Sequence, residues 1–195
     1  DFSVLRGCVK VLAIKEAYLK LVPFADVVYG CEAPWWQHVK GLPGFKGLKL
    51  AYSDARLDEY RDIRRFKLRA NTGRRAHVQA HLDEIILDEP GTIGAGGHSG
   101  FQALNIAAQF GATRVMLIGF DMHAGGGVHF YGRNRWQRAN NPDNSVFPRW
   151  IASMERASET LGAAGVQVVN CSPVSAIQSF PKKSIADALH EWGIA

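Results

Sequence analysis

The chain has 195 residues, 47% of them hydrophobic, which is enough for one globular domain with a substantial core. Its formal net charge is +5, and no apolar run approaches the roughly 20 residues that a membrane-spanning helix needs. The three cysteines have neither the pattern of a disulfide framework nor the spacing of a metal site. We therefore expect a cytoplasmic protein without a membrane segment.

The first half of the chain predicts short strands separated by turns. Apolar runs predict strands over residues 9–14, 26–30 and 48–52, and weaker runs suggest strands at 63–68 and 84–87. A short helix is expected over 34–39, with Pro34 near its start. Trp35 and Trp36 point in different directions on such a helix, so at least one of them belongs to the core.

The second half has the clearer pattern. A helix is expected from Ser99, with Gly111 at its C-terminal cap, followed by an apolar strand at 114–120. A second helical stripe over 147–161, with Asn144 or Ser145 as its N-cap, leads to a strand at 166–169 and a closing helix at 184–192. This order predicts a parallel β–α–β unit and, for residues 1–195 together, a single Rossmann-like three-layer α/β/α domain with a mainly parallel sheet.

Positive charge is concentrated between residues 56 and 75. One interpretation is a solvated surface, because acidic residues lie among the basic ones. The other is attraction for an anionic acceptor or a nucleic acid. The basic residues are Arg56, Arg61, Arg64, Arg65, Lys67, Arg69, Arg74 and Arg75, and the acidic ones are Asp54, Asp58, Glu59 and Asp62.

Three segments should meet at one edge of a parallel sheet, because residues that follow parallel strands gather there. They are the glycine-rich turn at 94–100, the strand end at 121–123, and residues 170–172 after the last strand. The turn is either a structural strand-to-helix connection or a backbone cradle for phosphate. It has neither the spacing of a dinucleotide fingerprint nor a Walker lysine.

Asp121 stands at a strand end, where it either caps the next turn or binds a ligand. Asp121, His123 and His129 offer metal-ligand chemistry, but the glycines between them set no rigid geometry, so we expect no metal site. The loop at 124–145 is long for a compact domain. Its glycines, followed by His129, Tyr131 and Arg133, suit either a flap over an anionic ligand or an exposed surface loop.

Two stretches of the second half resemble a known group of proteins. They read Gly-Gly-His-Ser-Gly-Phe-Gln-Ala-Leu-Asn over 96–105 and Gly-Ala-Thr-Arg-Val-Met-Leu-Ile-Gly-Phe-Asp-Met over 111–122. The group is Rossmann-like, occurs in phage and bacterial genomes, and is similar to bacterial single-domain sialyltransferases and to 6-hydroxymethylpterin pyrophosphokinase-like proteins. Weaker matches at 13–18, 25–29 and 170–175 extend the resemblance over most of the chain. Many members have no assigned function, so the resemblance implies fold more directly than activity.

The resemblance implies a metal-independent glycosyltransferase, sialyltransferase-like, whose substrate is a nucleotide-activated sugar and which uses no cofactor. Such enzymes use a histidine as general base and tyrosines on the leaving phosphate of a cytidine-monophosphate sugar. By resemblance, His129 is the base and Tyr131 the phosphate contact. The candidate substrate-binding residues are Gly96, Gly97, His98, Ser99, Asp121, His123, Arg133, Asn170 and Ser172.

Two departures from the group are expected. The first strand and glycine loop of related proteins have no counterpart at the start of this chain, and Lys15 stands where an asparagine that touches the donor is expected. The alternatives are a pyrophosphokinase-like nucleotide enzyme and a non-catalytic nucleotide- or nucleic-acid-binding protein of phage or prophage origin. The sequence leaves the donor sugar, the acceptor and the oligomeric state open.

Overall fold

The computed structural model of the chain describes residues 1–69 and 83–194. Contacts divide the chain into two compact units, Asp1–Leu68 with Tyr131–Asn141, and Arg69–Phe130 with Pro142–Ala195. Each unit has its own apolar core and its own parallel strand pairs. The expected Rossmann-like α/β class with mainly parallel strands is confirmed.

The first unit is a parallel sheet in which the strand order follows the chain order, β1-β2-β3-β4. Its strands are β1 (Leu12–Ile14), β2 (Val27–Tyr29), β3 (Leu48–Tyr52) and β4 (Ile63–Leu68). Helix α1 (Glu16–Lys20) connects β1 to β2, and α2 (Ala33–His38) connects β2 to β3. Short 3-10 turns lie at Ser3–Leu5 and Ala55–Leu57. The carboxyl ends of four strands therefore share one edge of this sheet.

The predictions for the first unit are correct for β3 and β4 and too wide for β1. The expected strand at 9–14 begins only at Leu12, because the N–H of Val9 donates to the Leu5 carbonyl and closes a turn. Helix α1 was not expected. It spans five residues, which is too short for a helical repeat to show in the sequence.

Both tryptophans of α2 are buried in the core of the first unit, where at least one was expected. Their rings meet edge to face, with centroids 4.8 Å apart. The indole N–H of Trp36 donates to the Gly30 carbonyl (2.8 Å), and that of Trp35 donates to Glu16 Oε1 (3.1 Å). Because both polar atoms are satisfied, the indoles can be buried at little electrostatic cost.

The second unit contains the predicted parallel β–α–β arrangement. Its elements are β5 (Thr92–Ile93), α3 (Ser99–Gln109), β6 (Arg114–Leu117), α4 (Phe147–Ala163), β7 (Gln167–Asn170) and α5 (Ile185–Glu191). Strands β6 and β7 pair in parallel, with Arg114 opposite Gln167 and Leu117 opposite Asn170. Gly111 has a φ of 83° just beyond the end of α3, so the expected glycine cap is confirmed.

Three expectations for the second unit are wrong. Residues 84–87 form no strand; instead, the amide of Asn105 on α3 binds the N–H and carbonyl of Ile86. The N-cap of α4 is Val146, because Ser145 is bound to Asp143 in a preceding turn. Strand β6 ends at Leu117 rather than at residue 120.

In the ranges 1–69 and 83–194, no helix is both long and apolar enough to cross a membrane.

Candidate functional site

The glycine-rich turn lies directly before α3, and aromatic rings fill the space beside it. A Cβ on Gly96 would lie 2.0 Å from the ring of Phe101, and one on Gly97 would lie 2.9 Å from Nε1 of Trp150. Both glycines have positive φ values, 57° and 78°. The turn thus requires glycine for its conformation and for the close approach of these rings, independently of any ligand.

His98 is the N-cap of α3, and its Nδ1 accepts the N–H of Phe101 at 3.2 Å. The residue as a whole is half-buried, but its Nε2 atom is enclosed and has no hydrogen-bond partner among the described residues. Burial, followed by the nearby charge of Arg149, lowers the pKa of His98 to about 3. The imidazole is therefore neutral near pH 7, and it serves as a cap rather than as a cationic phosphate ligand.

The ends of β6 and β7 meet in the second unit, as the parallel pairing requires. Ser172 Oγ accepts the N–H of Phe120 at 2.8 Å, and the Asp121 carbonyl accepts the N–H of Ala176 at 2.8 Å. The Phe120 ring in turn lies against the glycine turn, since a Cβ on Gly100 would be 2.6 Å from it. The turn, the β6 end and the β7 end are thus brought together in this unit.

Two of the candidate side chains at these strand ends are already engaged by the protein. The Nε2–H of His123 donates to the Val174 carbonyl (2.9 Å), while its Nδ1 accepts the N–H of Gly125 (3.1 Å). Asn170 is almost fully buried, and its Oδ1 accepts the N–H of Ser172 at 3.0 Å. Its Nδ2 is buried without a hydrogen-bond partner in the described part of the chain. Asp121 is half-buried at the same edge.

A second group of charged side chains lies at the carboxyl edge of the first unit's sheet. Lys15 and Glu16 directly follow β1, and Glu32 lies three residues beyond β2. Lys15 forms an ion pair with Glu32, and Glu16 lies 3.7 Å from the ammonium of Lys20. Lys15 and Glu16 are largely buried, and the Trp35 indole fixes Glu16 in place. We call Lys15, Glu16 and Glu32 the carboxyl-edge cluster.

Lys15 has an unusual backbone conformation for a residue with a side chain, with φ 49° and ψ −118°. Its N–H donates to the Tyr29 carbonyl at 3.0 Å, and its own carbonyl accepts the N–H of Tyr18 at 3.1 Å. The backbone is thus held on both sides, continuing the β1–β2 pairing before α1 begins. Strained backbone of this kind is found most often at functional sites.

Tyr131 belongs to the first unit and lies within electrostatic range of Glu16 and Glu32 in the carboxyl-edge cluster. Burial raises the pKa of Tyr131, and the negative charges of Glu16 and Glu32 raise it further. Its hydroxyl donates to Asn134 Oδ1 at 2.8 Å. The phenol therefore remains protonated and acts as a hydrogen-bond donor throughout the physiological pH range.

The loop segment that carries Tyr131 is built around the buried side chain of Asn134. The amide of Asn134 donates to the Asn140 carbonyl at 2.6 Å, and its backbone N–H donates to Asn141 Oδ1 at 2.7 Å. Trp136, between them, packs on the core of the first unit. The structure thus gives this half of the predicted flap a defined internal architecture.

The other loop residues are distributed between the two units. His129 lies in the second unit and is half-buried, whereas Arg133 is exposed in the first. The proposed base, His129, and the proposed phosphate contact, Tyr131, thus belong to different units although only one residue separates them in the chain.

Two cations of the basic stretch are neutralised within the first unit. Arg56 binds Asp54, and Arg65 binds Asp58, each with a closest distance of 2.6 Å. Exposed cations that form no ion pair within residues 1–69 and 83–194 are Arg61, Arg64 and Lys67. Arg69 lies 3.7 Å from Glu84 in the second unit. Arg74 and Arg75 lie outside the described residues.

Within the described residues, no three histidine, cysteine or acidic side chains are grouped so that they could hold a metal ion. Cys31 and Cys171 are buried and Cys8 is exposed, and none of the three is part of a disulfide. Burial raises the pKa of the Cys171 thiol, which makes it a poor nucleophile.

Sequence reasoning missed Glu16 and Glu32 as members of a candidate site. The available signal was positional, because each follows a strand whose carboxyl end was predicted to within one residue. The glycines at 94–100 have a more distinctive spacing and therefore defined the predicted site instead.

Comparison of the chain with models of known families, with curated proteins and with solved structures gives no significant match.

Proposed function

We propose that the chain is a glycosyltransferase that uses a nucleotide-activated sugar and binds the leaving phosphate beside Tyr131. The observation that supports this most is that Tyr131 lies within electrostatic range of Glu16 and Glu32, which follow β1 and β2. Parallel α/β sheets bind their ligands at this edge. The resemblance to sialyltransferases independently assigns Tyr131 to the leaving group.

The proposed reaction is a direct displacement at the anomeric carbon. His129 takes the proton of the acceptor hydroxyl, whose oxygen forms a bond to the anomeric carbon. The bond from that carbon to the phosphate oxygen breaks, and its electron pair leaves with the nucleotide. The Tyr131 hydroxyl turns from Asn134 Oδ1 and donates its hydrogen bond to the negative charge that develops on this oxygen. A phenol with a raised pKa keeps its proton for that purpose.

Two carboxylates beside a phosphate site would repel the ligand if they were unpaired. Glu32 is paired with Lys15, and Glu16 is 3.7 Å from Lys20, so the four formal charges cancel. We propose that the Lys15 ammonium stays paired with Glu32 and donates a further N–H to the arriving phosphate. This hydrogen bond would give Lys15 a role that an asparagine has in the related proteins.

The experiment follows nucleotide release from a cytidine-monophosphate sugar in the presence of a chelator. His129→Ala should reduce turnover by about 100-fold or more, the usual contribution of a general base. Its matched control is His190→Ala, at an exposed position near the end of α5. Equal turnover in both variants would refute the role of His129.

Tyr131 is tested in the same assay with Tyr131→Phe. Loss of the hydroxyl should lower turnover about 10- to 100-fold, since one donor to a developing oxyanion is removed. Tyr18→Phe is the matched control, because Tyr18 is used for ring packing against Phe45, with centroids 4.8 Å apart. If the two variants retain the same turnover, the phosphate does not bind beside Tyr131.

Two other outcomes would favour the alternative functions. Activity with nucleotides that disappears in chelator would indicate a pyrophosphokinase-like, metal-dependent enzyme. Retention on DNA that falls steeply with salt and is lost when Arg61, Arg64 and Lys67 are replaced would indicate a nucleic-acid-binding protein. These three side chains are exposed, which is the observation in favour of the latter.

A further inference from the structure

The first unit contains a pocket that the proposed reaction does not use. Its volume is about 540 Å³, within the range of about 300–1,000 Å³ that is usual for small-molecule sites. It lies between helix α2, the chain before β4 and the loop segment that contains Trp136. The side chains that define its character are His38, Glu59, Tyr60, Trp136, Gln137 and Arg138, together with Gln37.

The aromatic side chains of the pocket are held in place by contacts with the rest of the first unit. Trp136 stacks on His38, with ring centroids 5.5 Å apart and planes 24° apart, and it packs on the core of the first unit. Tyr60 lies against the backbone at Gly41, where a Cβ would be 2.4 Å from its ring. Rings fixed in this way lose little conformational entropy when a ligand stacks on them.

A tight turn presents the polar residues next to Trp136. The N–H of Ala139 donates to the Trp136 carbonyl at 3.0 Å, and Arg138 in the turn has a φ of 59°. This left-handed conformation is uncommon for arginine. It places Gln137 and Arg138 in an exposed turn at the pocket, beside the aromatic pair.

The polar groups of the pocket match hydroxyl groups better than they match a charged ligand. The single carboxylate of Glu59 and the single guanidinium of Arg138 cancel in formal charge. Gln37 and Gln137 each offer both donors and acceptors, as sugar hydroxyls do. Gln37, Glu59, Gln137 and Arg138 are all exposed, so a ligand can reach them. Gln37 donates to the Arg56 carbonyl at 3.5 Å and Glu59 is hydrogen-bonded to Tyr60, and both side chains keep further polar atoms for a ligand.

We propose that this pocket binds a neutral saccharide, with a sugar ring stacked on the aromatic surface formed by Trp136, His38 and Tyr60. The C–H faces of a pyranose are weakly positive and complement the negative face of an aromatic ring. The amides of Gln37 and Gln137, with the carboxylate of Glu59 and the guanidinium of Arg138, then bind the hydroxyls at the rim of the sugar ring. Saccharide binding is independent of the transfer reaction; a role for this pocket as the acceptor site rests on the proposed function.

The test is a titration of the isotope-labelled full chain with maltose, cellobiose, lactose and N,N′-diacetylchitobiose, followed by NMR. The five tryptophans give separate indole N–H signals, and the Trp136 signal is assigned from its loss in Trp136→Phe. We expect at least one disaccharide to shift this signal saturably. Gln137→Ala should weaken that binding by about threefold or more, the effect of one hydrogen bond, while Gln178→Ala, an exposed position in the second unit, leaves it unchanged.

The proposal is overturned if none of the four disaccharides shifts the Trp136 signal, or if Gln137→Ala and Gln178→Ala bind equally. It is also overturned if cytidine monophosphate or inorganic phosphate shifts that signal at lower concentration than every disaccharide. Because Gln137 is exposed, its replacement tests the pocket without disturbing the core. The titration needs no sugar donor, so binding in a protein that shows no transfer would contradict the proposed function alone.

Discussion

Asn105 connects helix α3 to the chain that enters the glycine turn, and its replacement gives the most quantitative test of the second unit. Its side chain is fully buried. The Oδ1 atom accepts the N–H groups of Ile86 (3.1 Å) and Gly94 (3.0 Å), and Nδ2 donates to the Ile86 carbonyl (2.7 Å). Asn105→Ala removes all three hydrogen bonds at once.

The expected loss of stability follows from the groups that remain. The Ile86 carbonyl keeps a second donor, Gln109 Nε2 at 2.9 Å, so the loss of its hydrogen bond from Asn105 costs little free energy. The N–H groups of Ile86 and Gly94 lose their acceptor in a buried region, at a cost of about 1–3 kcal/mol each. The free energy of unfolding should therefore fall by roughly 2–6 kcal/mol, a large share of the roughly 5–15 kcal/mol available to a domain.

Urea unfolding followed by circular dichroism measures this change. Gln178→Ala is the control, because an exposed substitution away from such bonds alters stability by less than about 0.5 kcal/mol. A loss below about 1 kcal/mol in Asn105→Ala, with an unchanged denaturant slope, would refute the reasoning. It would mean that neither N–H group depends on this amide.

Three further predictions concern single residues. Gly94→Ala should destabilise the protein by more than about 2 kcal/mol, because the new Cβ would lie 1.9 Å from a backbone carbonyl oxygen. Gly126→Ala is the control in the same unfolding experiment. It should be nearly neutral, because the space around Gly126 is open. The ring protons of His98 should show no NMR titration between about pH 5 and 8, because its pKa is about 3; a midpoint in that interval would contradict its burial. The hydrogen bond from Arg56 lowers the pKa of Asp54 below 3.8. The ionised carboxylate therefore stabilises the folded state above pH 3.8. This stabilisation disappears as the pH falls through the lowered pKa. Asp54→Asn should therefore be less stable than the parent near pH 7 and should lose less stability on acidification, as measured by thermal unfolding; parallel pH profiles would contradict the prediction.

The local sequence pattern was sufficient to predict strands that consist of an uninterrupted apolar run bounded by turn residues. Strand β3 was predicted at its observed bounds, and α4 was recognised from apolar residues that recur along one face. The N-cap of α4 was wrong because Asp143 competes for Ser145. A preference for capping residues does not reveal which of two neighbouring turns a given serine joins.

Residues 84–87 show the same limitation for a strand. Their apolar composition favours a strand. The amide of Asn105, some twenty residues later, instead makes the hydrogen bonds to the Ile86 backbone that a neighbouring strand would make. The position of Tyr131 relative to the carboxyl-edge cluster also depends on residues that are far apart in the sequence. Tyr131 lies more than one hundred positions after Glu16, and no spacing rule in the sequence brings them together.

The sequence by itself determined the alternation of strands and helices, the parallel β–α–β unit and the glycine-dependent entry to α3, because each depends on neighbouring residues and on backbone conformation. Tertiary structure alone decided that His98 is a neutral cap, that Lys15 pairs with Glu32, and that Trp136 completes a pocket in the first unit. These outcomes arise from burial and from contacts between distant parts of the chain. Such contacts set pKa values, charge balance and cavity shape, and a linear pattern of residues does not specify them.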